Sequence, residues 1–221
     1  MSIFDSLISK FAPHLCLGCG YEGSIICVQC IAAFEKIPDR CYRCQAAAAE
    51  FVTCQTCRKT SDLQQVWVAT AYEDLAKQLV WRLKFDGAQA ATATMADQML
   101  PLLSRETNAW LVPVSTASAR ARSRGYDQAK LLAKQLSRRS RLPYVDCLRR
   151  SGKTHQVGSS RQQRLQQLHG AFSVKQRAIP AGAKIILVDD IVTTGATLEA
   201  AASALKQAGA TEISALAFAQ P

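Results

Sequence analysis

The sequence predicts an α/β protein with a doubly wound, mainly parallel sheet that follows a small cysteine-rich module. Strand-like and helix-like hydrophobic patterns alternate from residue 66 onward, which is typical of a parallel sheet covered on both faces. Before them, eight of the nine cysteines fall within the first 57 residues. We therefore expect two parts, a metal-binding module over residues 1–62 and an α/β domain over residues 63–221.

The cysteines of the first part form four Cys-x-x-Cys pairs, which are Cys16/Cys19, Cys27/Cys30, Cys41/Cys44 and Cys54/Cys57. Two thiolates at this spacing can face one tetrahedral ion, and two pairs complete a four-cysteine zinc shell. Eight ligands would serve two zinc ions. Sequential pairing of neighbouring pairs is the simplest arrangement, but the intervening segments also permit interleaved pairing.

Two other interpretations of the cysteine pairs are weaker. Disulfides need an oxidising compartment, whereas the chain opens Met1-Ser2-Ile3 without the basic and apolar segments of a secretory signal. We therefore expect a cytoplasmic protein. A thioredoxin-type redox pair would need a βαβ context, and four pairs in tandem indicate metal instead. The ninth cysteine, Cys147, stands alone and is expected to be a buried structural thiol.

The α/β part begins with a predicted strand over residues 66–72, followed by a helix over residues 74–85. The helix carries an apolar stripe of Leu75, Leu79, Val80 and Leu83. Further helices are predicted over residues 89–103, 128–139 and 197–207, and further strands over residues 111–114, 171–174, 185–188 and 213–219. The small residues of segment 115–120 predict a flexible loop.

The run from Ile185 to Thr197 is the most informative segment of the chain, because a buried strand, two carboxylates, a Thr/Gly loop and a helix follow one another. Asp189 and Asp190 can accept hydrogen bonds from ribose hydroxyls or hold a hydrated magnesium ion. The donors of the following loop suit a phosphate at the helix N-terminus. This predicted phosphate loop comprises Thr193, Thr194, Gly195, Ala196 and Thr197. A solvated strand end with a threonine-rich cap is the alternative, and the length of the run disfavours it.

The net charge of +10 is unevenly distributed. Residues 1–62 are neutral, whereas the segment from Arg120 to Arg177 holds fifteen Lys and Arg against Asp127 and Asp146. Such a segment has either an anionic partner or a solvated face. The candidate nucleic-acid contacts, with Tyr126 and Tyr144 interleaved for base stacking, are Arg120, Arg122, Arg124, Lys130, Lys134, Arg138, Arg139 and Arg141.

The run of residues 185–197 resembles the phosphoribosyl-diphosphate (PRPP) signature of type I phosphoribosyltransferases. Segments 81–87, 111–114 and 124–129 occur behind the cysteine pairs in the order seen in the ComF/GntX family, which includes competence protein F. The resemblance extends from Cys16 to the last predicted strand. It implies a type I phosphoribosyltransferase fold behind a double zinc module.

The resemblance also implies a ligand and partners. The ligand would be PRPP with magnesium, with Asp189 and Asp190 as the catalytic pair of an active enzyme. Lys84 or Arg124 would hold the diphosphate, and a basic stretch around Lys153 would close over it. The partners would be imported single-stranded DNA, the competence helicase and DNA-processing proteins. Because no apolar run is long enough to span a bilayer, no membrane span is expected.

Three functional hypotheses follow from these features. The first is a binding protein for single-stranded DNA during natural transformation. The second is an active phosphoribosyltransferase whose acceptor the sequence does not name, with a GntX-like role in the use of gluconate or DNA as a nutrient. The third is a sensor in which PRPP or a nucleotide only modulates DNA or partner binding.

Overall fold

The computed structural model describes residues 14–86, 90–104, 106–116, 118–150, 170–175 and 179–221, with the backbone alone for residues 118–120. Two sequence-based expectations lie outside the described residues, namely the closing stretch around Lys153 and the side-chain role of Arg120. In chain order the helices and strands are α1 Val28–Ile31, α2 Gln55–Arg58, β1 Val66–Ala71, α3 Asp74–Phe85, α4 Ala91–Met99, β2 Ala109–Pro113, α5 Ser118–Arg124, α6 Gln128–Ser140, β3 Leu148–Arg150, β4 Phe172–Val174, β5 Lys184–Ile191, α7 Ala196–Gln207 and β6 Glu212–Gln220.

The α/β part is built on a four-stranded sheet in the order β1-β6-β5-β2. Every pairing in this sheet is parallel, with Leu187 of β5 opposite Ala215 of β6 on one side and Val112 of β2 on the other. The core of β5, from Ile185 to Val188, is fully buried. A strand buried on both faces needs apolar residues at successive positions, which explains its unbroken hydrophobic run.

The helices cover this sheet and confirm the predicted α/β class. The stripe of Leu79, Val80 and Leu83 on α3 is buried, as its helical spacing predicts. Helices α4 and α6 pack against each other, α6 also contacts β5 and β2, and α7 contacts β4, β5 and β6. The predicted helix over residues 89–103 is an α-helix only to Met99 and continues as a 3₁₀ turn over Leu100–Leu103.

Two elements differ from the sequence-based expectation. Helix α5 occupies part of the segment expected to be a flexible loop, because its alanine and arginine residues are good helix formers. The carboxylate of Asp127 also accepts the backbone N–H of Thr116 at 2.9 Å and that of Lys130 at 3.2 Å, which ties the two sides of α5 together. Strand β3 pairs antiparallel with β4 over three residues, too few for a hydrophobic period to show.

The cysteine-rich segment packs directly against the sheet. The ring of Phe34 meets the ring of Phe218 on β6 edge to face, with centroids 6.0 Å apart. The carbonyl of Glu35 accepts hydrogen bonds from Ala71 N–H and Thr70 Oγ1, both at 2.8 Å. The buried apolar residues of the two parts belong to one hydrophobic cluster. The division at residue 62 stays a prediction.

Within the part of the chain that the structure describes, no helix combines the length and the apolar character needed to cross a membrane.

Candidate phosphate site and cysteine tetrads

A cleft of about 310 Å³ opens at the carboxyl ends of β2 and β5. In parallel α/β sheets, the loops that leave the strands at this edge form the usual ligand site. The cleft brings together the predicted acids, the predicted cations Lys84 and Arg124, and the loop after β2. Its lining residues are Lys84, Phe85, Val114, Ser115, Thr116, Arg124, Gln128, Arg150, Asp189, Asp190 and Thr197.

The two acids lie in the last residues of β5, which extends three residues beyond the predicted strand end at Val188. Asp189 Oδ1 accepts the N–H of Asp190, and Asp190 Oδ1 accepts the N–H of Ile191, each at 2.9 Å. Lys84 Nζ lies 2.7 Å from Asp190 Oδ2. Lys84 is therefore paired with an acid of the site, so its predicted contact with a diphosphate would require it to be shared or to exchange partners.

The carboxyl of Asp189 is in an unfavourable place for a negative charge. Its burial and the neighbouring charge of Asp190 raise the pKa of Asp189 well above the ordinary value of 3.8, and Lys84 offsets this only in part. An acid in a cleft whose pKa is strongly raised by burial and a neighbouring charge is a candidate functional residue. Donors from a polyhydroxyl ligand or a metal ion would relieve the cost of this charge.

The predicted phosphate loop follows β5, and its last two residues, Ala196 and Thr197, are the first residues of α7. Its residues line a small recess of about 40 Å³ together with Asp189, Ile191 and Val192. Gly195 caps the helix with φ +75°, a left-handed conformation that glycine adopts without steric cost. Thr194 Oγ1 accepts the N–H of Ala196 at 3.4 Å. The loop thus leads into the N-terminus of a twelve-residue helix, where backbone donors attract anions.

Gln128 is a cleft residue that the sequence-based analysis missed. Its side chain is 2% exposed, and Thr116 Oγ1 lies 3.4 Å from its Oε1. Among the described residues, its Nε2 has no hydrogen-bond partner. A buried amide donor that faces a cleft costs free energy until a ligand oxygen or water accepts from it. Gln128 is the first residue of α6. In the sequence its position therefore indicates only where a helix begins.

The predicted basic contacts are spread over α5 and α6, and they differ in availability. Lys130 Nζ pairs with Asp146 at 2.9 Å, and Arg139 Nε pairs with Asp97 at 2.8 Å. Arg124 lies over the Phe85 ring at 5.2 Å from its centroid, and Lys134 lies 5.8 Å from the centroid of Tyr144. Among the members whose side chains the structure describes, the exposed ones are Arg122, Lys134, Arg138 and Arg141.

The aromatic side chains that are open to solvent differ from those expected. Tyr126 and Tyr144 are half-buried, and the Tyr126 hydroxyl donates to the Leu83 carbonyl. Trp81 and Phe85 are instead 53% and 64% exposed, with ring centroids 5.8 Å apart on successive turns of α3. The sequence does contain a signal for this pair, because two aromatic residues four positions apart on a helix lie on the same face. Neither residue belongs to the buried stripe of α3. Because Phe85 also lines the cleft, this aromatic pair adjoins the candidate site.

The cysteines gather into two tetrads in chain order. The first tetrad is Cys16, Cys19, Cys27 and Cys30, and the second tetrad is Cys41, Cys44, Cys54 and Cys57. Within each, all ligand atoms lie within 4.8 Å of one another. The structure thus has the sequential pairing and not the interleaved one. Cys147 lies apart from both tetrads in the core, and burial raises its pKa to about 11.

Both tetrads fit zinc. A Zn–S bond of about 2.3 Å places the sulfurs of a tetrahedral site about 3.8 Å apart. The observed separations are 3.7 Å for Cys19 and Cys27 and 3.6 Å for Cys44 and Cys54, far longer than the S–S bond of about 2.05 Å in a disulfide. Each tetrad can therefore hold one zinc ion.

Backbone donors surround the first sulfur of each tetrad. The N–H groups of Cys19 and Cys27 lower the pKa of Cys16 to about 6. In the second tetrad, burial works to raise the pKa of Cys41, but the N–H groups of Cys54 and Cys44 outweigh it and bring the pKa to about 7. Such N–H contacts orient thiolate ligands and stabilise their charge.

The two tetrads are also built alike. In each, the carbonyl of the first cysteine accepts a hydrogen bond from the N–H of the residue four positions later. Gly20 donates to Cys16 in the first tetrad and Gln45 donates to Cys41 in the second, both at 2.9 Å. Gly20 and Gln45 share a left-handed conformation, with φ +73° and +64°. A four-residue helix, α1 or α2, follows the third cysteine of each tetrad. The same cysteine turn therefore occurs twice in the structure.

The fold and the strand-loop-helix motif define a protein of the type I phosphoribosyltransferase fold, and residues 122–221 match the family described as phosphoribosyl transferase domain. The chain is 30% identical over 195 residues to competence protein ComFC of Bacillus subtilis, which covers 83% of this chain and 79% of that protein. It is 38% identical over 107 residues to competence protein F of Haemophilus influenzae, a match that covers 47% of this chain and 46% of that protein. The chain belongs to the ComF family of competence proteins.

Solved structures with a similar fold include two adenine phosphoribosyltransferases. The protein from Thermoanaerobacter pseudethanolicus is 13% identical with a TM-score of 0.41, and the match covers 61% of this chain and 82% of that one. The protein from Saccharomyces cerevisiae is 18% identical with a TM-score of 0.40, and the match covers 63% of this chain and 72% of that one.

We expect two zinc ions per chain, one for each tetrad. Elemental analysis of the purified protein checks this number. Changing Cys19→Ser or Cys44→Ser removes a ligand of one tetrad only, so each variant should lose one zinc ion, and the double variant should lose both. A wild-type content near one zinc per chain would contradict the two-site arrangement.

The raised pKa of Asp189 predicts a pH-dependent cost in stability. An acid whose pKa is higher in the folded chain contributes stability below its ordinary value of 3.8, and this contribution is lost as the pH rises through the folded pKa. Asp189→Asn should therefore be more stable than the wild type near neutral pH, by about 0.5–2 kcal/mol. Urea unfolding without ligand, at several pH values between about 5 and 8, measures this difference. A difference that does not grow with pH would count against the assignment, and Asp97→Asn serves as the exposed control.

Proposed function

We propose that this ComF-family protein binds a ribose 5-phosphate ligand of the PRPP type in the cleft at the ends of β2 and β5. The observation that carries the proposal is the adjacency of the paired acids of β5 and the phosphate loop before α7. Acceptors for ribose hydroxyls and donors for the 5-phosphate are thereby separated by only a few residues. Asp189 and Asp190 would hold the ribose, and residues 193–197 the phosphate.

The rest of the cleft supports a ligand with a second anionic group. Lys84, Arg124 and Arg150 supply three cations to its lining, and Gln128 supplies a buried donor at Nε2. Magnesium bound with PRPP would neutralise part of the diphosphate charge. The protein groups would position the ribose and exclude water, which are the main requirements for a bond change at the anomeric carbon.

We further propose a role in handling single-stranded DNA, which is what the resemblance to the competence-protein family implies. The specific observation in its favour is the exposed pair of Trp81 and Phe85, with Arg124 lying over Phe85. Stacked bases on aromatic rings and phosphates on nearby cations are the usual means of binding single strands. The exposed cations of α5 and α6 would contact the backbone. A cytoplasmic location and contact with the competence helicase are part of this proposal.

The alternative is an active phosphoribosyltransferase that uses the same site. Transfer would release diphosphate from PRPP when an acceptor is present, whereas a sensor would bind PRPP without release. Diphosphate release with a panel of nucleobases therefore separates the two roles. In either role Asp189 and Asp190 hold the ribose.

Replacement of either acid should weaken ligand binding. Asp189→Asn or Asp190→Asn removes a charged acceptor of the ribose hydroxyls, so the Kd for magnesium-PRPP should rise by roughly 10- to 150-fold, the equivalent of about 1.5–3 kcal/mol. Isothermal titration calorimetry measures this change. Asp97→Asn is the matched control on the exposed surface of α4 and should keep the wild-type Kd. Unchanged affinity in both site variants would rule out this binding mode.

Loss of the exposed aromatic pair should weaken DNA binding. Trp81→Ala and Phe85→Ala each remove a stacking surface, so each should raise the Kd for a single-stranded oligonucleotide by about 5- to 150-fold. Fluorescence anisotropy at about 50 and about 200 mM salt measures the affinity and its salt dependence. Tyr21→Ala removes an exposed aromatic ring, 74% accessible, from the cysteine-rich segment, and should have little effect. Equal losses in all three variants would argue against a site on α3.

A further inference from the structure

The second tetrad is joined to the phosphate loop by one side chain, Tyr42. This residue lies between Cys41 and Cys44, is 1% exposed, and places its ring directly against Gly195. A Cβ atom added to Gly195 would lie 2.4 Å from Tyr42 Cε2 and 2.7 Å from Cδ2. The ring thus occupies the space that any other residue at position 195 would need.

The hydroxyl of Tyr42 makes a second contact with the same region. It donates to Glu199 Oε1, in the first turn of α7, and lies 3.0 Å from Ser61 Oγ. Glu199 also receives the N–H of Asp62 at 3.3 Å, and Arg43 lies 3.9 Å from its Oε1. The ring and the hydroxyl of Tyr42 therefore contact both Gly195, in the middle of the phosphate loop, and Glu199, in the first turn of α7.

The position of Tyr42 depends in turn on the cysteines. Its neighbour Cys41 and the nearby Cys44 are both members of the second tetrad, so one metal ion would fix the backbone on the two sides of Tyr42. Without an ion, the tetrad has no bond that holds its four sulfurs together. The turn would then lose the restraint that directs the ring onto Gly195.

The first tetrad has the same ligands but a different neighbour. A Cβ added to Gly18, between Cys16 and Cys19, would lie 3.1 Å from Leu75 Cδ1 at the start of α3. This tetrad therefore packs where α3 begins, away from the C-terminal turn that carries Lys84. Its loss should leave the phosphate loop supported, which makes it a matched control for the second tetrad.

We propose that the second cysteine tetrad, acting through Tyr42, holds the phosphate loop in its ligand-binding geometry, so that ribose-phosphate affinity depends on the metal in this tetrad and not on the metal in the first. Tyr42 is a positioning residue in this arrangement, because it acts through Gly195 and Glu199. The affinity part of the inference rests on the proposed binding of PRPP. The loop-ordering part does not need a ligand.

The test compares variants of the two tetrads in the full chain. Cys44→Ser and Cys19→Ser should each lose one zinc ion. By calorimetry, Cys44→Ser should bind magnesium-PRPP about 5- to 150-fold more weakly than the wild type, the usual range for coupling between sites. Cys19→Ser should keep the wild-type affinity. Wild-type affinity in both variants, or an equal loss of affinity in both, would overturn the proposal.

Variants of Tyr42 test the connection with both metals still bound. Tyr42→Leu removes the ring and the hydroxyl, and should weaken binding while two zinc ions per chain remain. Tyr42→Phe keeps the ring against Gly195 and should recover most of the affinity. If Cys44→Ser does not fold, this pair decides the question by itself. Wild-type affinity in a Tyr42→Leu protein that retains its zinc would refute the role of Tyr42.

Hydrogen exchange separates failure of this inference from failure of the proposed function. The amides of residues 193–197 should exchange faster in Cys44→Ser and Tyr42→Leu than in the wild type or in Cys19→Ser, with no ligand present. If the wild type does not bind magnesium-PRPP, the proposed function fails, and the exchange rates still test the loop ordering. Unchanged exchange in Cys44→Ser and Tyr42→Leu would overturn the inference even if the wild type binds the ligand.

Discussion

The pairing of β5 between β6 and β2 is the constraint on which the rest of the structure depends. Because both neighbours run parallel to β5, the loops that follow β2 and β5 emerge at one edge of the sheet. This edge receives the acids of β5, the loop residues Ser115 and Thr116 and the start of α6 in one cleft. In the observed register, Val188 lies opposite Pro113 of β2 and Leu216 of β6. A shift of one residue would turn both acids to the opposite faces and dismantle the cleft.

The candidate site contains charged and polar groups that the protein alone does not stabilise well. Asp189 carries a raised pKa, and the buried amide of Gln128 lacks an acceptor among the described residues. Both arrangements cost free energy in the unliganded protein. A ligand with hydroxyl donors and phosphate oxygens would satisfy both. The pattern is typical of a site whose polar groups are arranged for a ligand and not for the stability of the fold.

The cysteine-rich segment uses one repeated turn in two different surroundings. The two tetrads share their ligand spacing, their backbone hydrogen bonds and their left-handed residues Gly20 and Gln45. Their difference lies in what the residues between the first two cysteines contact. Gly18 in the first turn permits close packing near Leu75, whereas Tyr42 in the second turn reaches across to Gly195. A common four-cysteine geometry accounts for the shared features, and the local neighbours account for the difference.

The sequence by itself determined the α/β class, the strands and helices with long periodic patterns, the eight cysteine ligands and the acid-loop-helix run at residues 185–197. These features are local, because hydrophobic period, ligand spacing and loop chemistry are all written within a few successive residues. Only the tertiary structure decided which cysteine pairs share a tetrad, and it alone brought Gln128 into the cleft. It also set Tyr42 against Gly195, buried Tyr126 and Tyr144 in part, and left Trp81 and Phe85 open. These outcomes depend on distances between residues that are remote in the chain, and such distances are set by packing, which no local pattern encodes.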